Sequence, residues 1–89
     1  MQRDRGLLLD ILEASRLAAK YIEGVSEERF QEDVQLQDSV IRRLEIVGEA
    51  ARAVSDAMRR QIPELPWQDM TDMRNFLIHQ YGDADPGVL

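Results

Sequence analysis

Arg74, Asn75, His79 and Tyr81 fall within nine residues, Met73-Arg74-Asn75-Phe76-Leu77-Ile78-His79-Gln80-Tyr81, and are the side chains of this sequence best suited to chemistry. Imidazole gives and takes protons near neutral pH without special tuning. A fixed guanidinium neutralises charge growing on a phosphoryl oxygen. Together they suit cleavage of RNA by its own 2′-hydroxyl, which needs proton transfer and oxyanion stabilisation but no metal. On a helix turning 100° per residue, with Arg74 at zero, Asn75 falls near about 100°, His79 near about 140° and Tyr81 near about −20°. Met70, Met73, Phe76 and Leu77 occupy an arc of about 200° to 320°, so that arc is expected to be buried and the polar one presented. The i, i+4 spacing of Asn75 and His79 lets the amide fix the ring. His79 is the only histidine. Two copies of this helix across a two-fold axis would supply two Arg and two His, enough for a separate acid and base.

Plainer accounts of the same residues stay open on spacing alone. With ten Arg in the chain, one stands five positions before the histidine by chance about one time in nine. A histidine near a helix C-terminus is favourable against the dipole, and Tyr81 fits as a rim aromatic.

The elements that must carry this segment are helical. Leu8, Ile11, Leu12, Ser15, Ala18, Ala19 and Ile22 recur every three or four residues, predicting one helix over about 3–23 with a single buried stripe. Gly24 stops it, and Ser26 with Glu27 and Glu28 opens a new turn. A second, longest helix is expected over about 33–58. Its seam is Leu36, Val40, Leu44, Val47, Ala51, Val54 and Met58, close to a coiled-coil pattern. Gly48 in its middle costs about 1 kcal/mol against Ala, which close approach of a neighbouring backbone would offset. Pro63 and Pro66 break the chain, and a third helix follows over about 67–80. No strand alternation occurs, so the fold class is all-α in a single domain, 1–89.

Eighty-nine residues, 44% apolar and 31% charged, make an ordinary globular composition. The absence of Cys removes disulfides, thiolate zinc sites and cysteine nucleophiles, and one His cannot build a histidine metal cage. No metal or cofactor is implied. Leu7-Leu8-Leu9 is ended by Asp10, so neither a membrane span nor a signal peptide is expected, and cytoplasm is the default compartment. A net charge of −6 argues against a sequence-independent coat on nucleic acid. Arg42, Arg43, Arg59 and Arg60 could form a residual basic patch that helps hold RNA, but charge-paired surface is the expectation for those four.

Three stretches in order resemble one known family. Arg74-Asn75-Phe76-Leu77-Ile78-His79-Gln80-Tyr81 looks like the Arg-x4-His-x-Tyr motif of HepT-like toxins, a branch of the HEPN superfamily. Ser39-Val40-Ile41-Arg42-Arg43-Leu44-Glu45-Ile46-Val47-Gly48-Glu49-Ala50-Ala51 resembles the family's central helix, with its Gly-Glu-Ala centre. Ile62-Pro63-Glu64-Leu65-Pro66-Trp67-Gln68-Asp69-Met70 is similar to the Pro-Glu-x-Pro-Trp lead-in to the motif helix. The resemblance implies an antiparallel helical bundle that forms a homodimer with the motif helices facing each other. It also implies a metal-independent RNase toxin of a type VII-like toxin-antitoxin system, acting on RNA and not DNA. Arg74 and His79 carry over as catalytic residues and Asn75 as a supporting one. The implied partner is an MNT-type nucleotidyltransferase antitoxin that moves AMP from ATP onto Tyr81. Family members continue into a further helix, whereas this sequence stops after the loop-like Asp83-Ala84-Asp85-Pro86-Gly87-Val88-Leu89. The competing expectations are a non-catalytic helical module that only binds a nucleotidyltransferase and, more weakly, a generic helical assembly protein.

Overall fold

The computed structural model describes residues 2–77, with side chains described through residue 72. Among these residues the chain forms five helices and no strand: α1 (Gln2–Ile22), α2 (Glu27–Glu32), α3 (Val34–Ala53), α4 (Asp56–Gln61) and α5 (Trp67–Leu77). None of these helices is long and apolar enough to cross a membrane. The all-α fold class stands.

Local chemistry sets each boundary. Gly24 takes φ of 73° after α1, the left-handed conformation that a residue without Cβ adopts at least cost. Ser26 then caps α2, its side chain accepting from the Arg29 N–H at 3.1 Å. Asp33 closes α2 and caps α3 at once, accepting from the Leu36 N–H at 2.9 Å. The Gln37 amide turns back to donate to the carbonyls of Phe30 and Gln31 at 2.8 and 2.9 Å. Those are carbonyls that the end of a short helix would otherwise leave unpaired.

The long second helix does not run unbroken to Met58. Val54 is extended, with ψ of 138°, and Ser55 caps a new six-residue helix by accepting from the Met58 N–H at 3.2 Å. The apolar seam crosses this corner without interruption. Val54 is buried and Met58 still packs on the core, so periodicity alone does not reveal the bend. The corner is held from outside by Asp4, near the start of α1, which is itself buried. Its carboxylate accepts from the Ser55 N–H at 2.9 Å and the Ser55 hydroxyl at 2.6 Å. The hydroxyl bond first, then the backbone bond, holds the Asp4 carboxyl below the usual carboxylate range.

The core lies between α1 and α3 and centres on Ile11, Ala14, Val47, Ala50, Ala51 and Val54, with Trp67 and Met70 of α5 packed against it. Small residues meet at its middle: Ala14 and Ala51 are 1% and 0% exposed, and Gly48 is buried beside them in sequence. That is where helix axes can approach most closely. The stripe on α1 is narrower than its apolar residues suggest, because Leu12 and Ile22 stay largely in the open, 63% and 46% exposed. Ile22 and Ala19 join Leu44, Leu65 and Met70 in lining an open apolar groove of about 470 Å³.

Candidate active site

The motif helix starts from a built corner. Trp67, the first residue of α5, donates its indole N–H to the Ile62 carbonyl at 2.8 Å. Arg59 of α4 lies over the Trp67 ring, 5.8 Å from its centroid, within range of a cation–π attraction. The same guanidinium donates to the carbonyls of Ala51 and Arg52 at 2.7 and 3.0 Å, near the C-terminus of α3. One side chain thus ties the last turn of α3 to the first residue of α5. Sequence reasoning assigned Arg59 to paired surface. Its signal, a cation eight residues after the helix end it closes and eight before an aromatic, lies outside any local motif.

Because α5 begins at the C-terminal end of α3 and packs on it, it runs back toward the N-terminal end of α3. α1 also lies antiparallel to α3, with Asp4 at Ser55 and Tyr21 beside Gln35 and Ser39. Arg74 and Asn75 lie within α5. His79 and Tyr81 lie outside the described residues.

The first six residues of α5 set its register. Trp67 and Met70 pack on the core, and the Thr71 hydroxyl is buried without a partner. Gln68, Asp69 and Asp72 are exposed. On the wheel with Arg74 at zero, the packed residues stand at about 20°, 320° and 60°, and the exposed ones at about 120°, 220° and 160°. Met70, a member of the expected apolar arc, packs on the core as that expectation has it, with Trp67 beside it. Met73, Phe76 and Leu77, the arc's other members, lie outside the residues whose side chains are described.

The basic residues also depart from expectation. Arg16 and Glu13 form an ion pair at 3.4 Å on the surface of α1. Among the described residues Arg42, Arg43 and Arg60 find no carboxylate partner, and Arg59 is engaged by carbonyls and a ring instead.

Comparison with known proteins bears directly on the motif helix. A family model described as HepT-like, ribonuclease HepT-like, matches residues 11–89. A probable ribonuclease HepT of Thermococcus cleftensis is 42% identical over 82 residues, which are 92% of this chain and 74% of that protein. A candidate RNase of Methanocaldococcus jannaschii is 35% identical over 81 residues, 91% of this chain and 74% of the relative. Another from Caldanaerobacter subterraneus subsp. tengcongensis is 33% identical over 81 residues, 91% of this chain and 72% of the relative. No solved structure matches.

Proposed function

The chain belongs to the HepT-like ribonuclease family, and from that premise we propose that it is an endoribonuclease toxin that cuts RNA without a metal ion. The observation that carries the reading is the family match over 11–89, which includes the whole Arg-x4-His-x-Tyr segment. In the proposed reaction the RNA 2′-oxygen attacks the adjacent phosphorus and its proton passes to one imidazole. The phosphorus–5′-oxygen bond breaks, and the leaving oxygen takes a proton from a second imidazole. The products are a 2′,3′-cyclic phosphate and a 5′-hydroxyl. His79 serves as acid and base, contributed by two protomers, because a single chain has one. Arg74 stabilises the phosphorane-like transition state, and Asn75 orients His79.

A homodimer is the assembly this chemistry requires. It is supported by the open apolar groove along α1 and α3 and by exposed Leu9 and Leu12. An exposed apolar surface of this kind marks an association site more often than bulk solvent contact. An MNT-type nucleotidyltransferase is the proposed antitoxin. It transfers AMP from ATP to the Tyr81 hydroxyl with loss of pyrophosphate, placing an anion that competes with RNA phosphate for Arg74.

Expression of the wild type and of His79→Ala without any antitoxin tests the reading. Growth arrest with RNA fragmentation by the wild type alone is the expected result. Equal, harmless behaviour of the two would leave the non-catalytic binding module. Persistence of cleavage by purified protein in excess EDTA tests the absence of a metal requirement, and the mass of Tyr81 after incubation with partner and ATP tests the modification.

A further inference from the structure

Tyr21, near the end of α1, faces the first half of α3 across an open polar cleft of about 330 Å³ whose other walls are Gln35, Asp38, Ser39, Arg42 and Arg43. Three features of this cleft bear on what it can bind. Its two guanidinium groups make no ion pair or hydrogen bond among the described residues, although Asp38 stands four positions before Arg42. Its aromatic residue, Tyr21, is half-buried beside them. Its hydroxyl, Ser39, donates to its own helix at Gln35 and so turns lone pairs outward. The cleft also lies toward the end of the bundle to which α5 runs. Met70 shares a groove with Val40, Leu44 and Val47, and the Arg74 position is about 6 Å further along α5 toward that end.

Forked cations beside an aromatic face are the chemistry of single-stranded nucleic acid: guanidinium on phosphate, ring on base. We propose that this cleft is a substrate-binding subsite that holds a flanking nucleotide of single-stranded RNA, with Arg42 and Arg43 on its phosphates and Tyr21 stacked on a base. The proposal rests on the ribonuclease reading and adds to it where the RNA is gripped outside the motif. It also answers a difficulty of charge. On a chain of net charge −6 the overall field repels a polyanion, so affinity has to come from local contacts within a Debye length of about 8 Å.

The test uses a fluorescein-labelled, single-stranded 2′-O-methyl oligoribonucleotide. It lacks the attacking hydroxyl, so binding is read without cleavage, by fluorescence anisotropy across a salt series. The wild type is expected to bind. Arg42→Gln with Arg43→Gln is expected to weaken binding roughly tenfold or more and to flatten the log Kd against log salt plot by about one unit of slope. Arg42→Lys with Arg43→Lys keeps the salt slope. Tyr21→Leu weakens binding by roughly tenfold with the slope unchanged, because stacking releases no counterions. Helical content by circular dichroism checks that each variant is folded. A glutamine double variant that is folded and binds like the wild type would overturn the cleft, as would preference for an acidic polypeptide over the oligonucleotide. Cleavage of unmodified RNA is read in parallel. Arg-dependent binding without any cleavage would sink the ribonuclease reading and leave the cleft standing, whereas normal cleavage with Arg-independent binding would do the reverse.

Discussion

The Asp4 carboxylate receives both the backbone N–H and the hydroxyl of Ser55, at 2.9 and 2.6 Å, across 51 positions of sequence. Ser55 uses the same hydroxyl oxygen to cap α4. The first turn of α1 therefore fixes where α3 stops and α4 begins. The angle of that corner in turn decides where Arg59 can reach Trp67 and start the motif helix.

This bond makes stability depend on acid. The Asp4 carboxyl is held below the usual carboxylate range by hydrogen bonds that exist only in the folded chain. A depressed folded-state pKa gives stability that is present above the unfolded value and lost as pH falls through the folded one. Asp4→Asn is expected to lower the melting temperature at pH 7 and to flatten the decline of stability below the ordinary carboxylate range. Asp10→Asn, an exposed carboxylate on the same helix, serves as control. Thermal melts from pH 7 down to pH 2 check it, and parallel curves for wild type and Asp4→Asn would contradict the assignment.

What the sequence revealed and what it hid divide along the range of the interactions. Gly24, Ser26 and Asp33 act on neighbours within a few residues, so the α1–α2–α3 boundaries were readable. The Ser55-Asp56 pair is also a readable cap. The seam through Val54 and Met58 overrode it, because both residues face the core on either side of the bend. Asp4–Ser55 and Arg59–Ala51 are tertiary pairings with no local signature. Arg74, Asn75, His79 and Tyr81 rest on their spacing and on resemblance to a family, and their side chains lie outside the described residues.

Arg59 is expected to matter more than its half-exposed position suggests. Arg59→Gln loses two charge-assisted bonds to α3 carbonyls and the contact with the Trp67 ring. The expected destabilisation is about 1.5–3 kcal/mol. A double-mutant cycle with Trp67→Leu isolates the ring term, for which about 0.5–1 kcal/mol of coupling is expected in urea unfolding. A coupling of zero would mean that the ring and the guanidinium are neighbours without being partners.

Gly24 tests backbone conformation separately from packing. A Cβ built there meets nothing within 4 Å, yet φ is +73°. Gly24→Ala should cost about 1–2 kcal/mol through the left-handed conformation alone. Gly24→Asn should cost less, since Asn tolerates that region better. If the two variants proved equally stable, the turn would have to relax out of the left-handed region when substituted.

The composite nature of the proposed catalytic site has a consequence that a one-chain enzyme cannot imitate. Arg74→Ala and His79→Ala homodimers should each lose about 10²–10⁴ in cleavage rate, the usual worth of a positioned acid–base group or oxyanion donor. A mixed dimer of wild type and His79→Ala, purified through different tags on the two chains, keeps both Arg74 groups but only one of the two imidazoles that the proposed reaction uses. Its rate should fall far below half that of the wild-type dimer, toward that of the His79→Ala homodimer, because acid and base come from different chains. If chains acted singly, the intact protomer would work alone and the mixed dimer would keep half the wild-type rate. A retained half rate would therefore contradict the symmetric pairing, whichever RNA is offered as substrate.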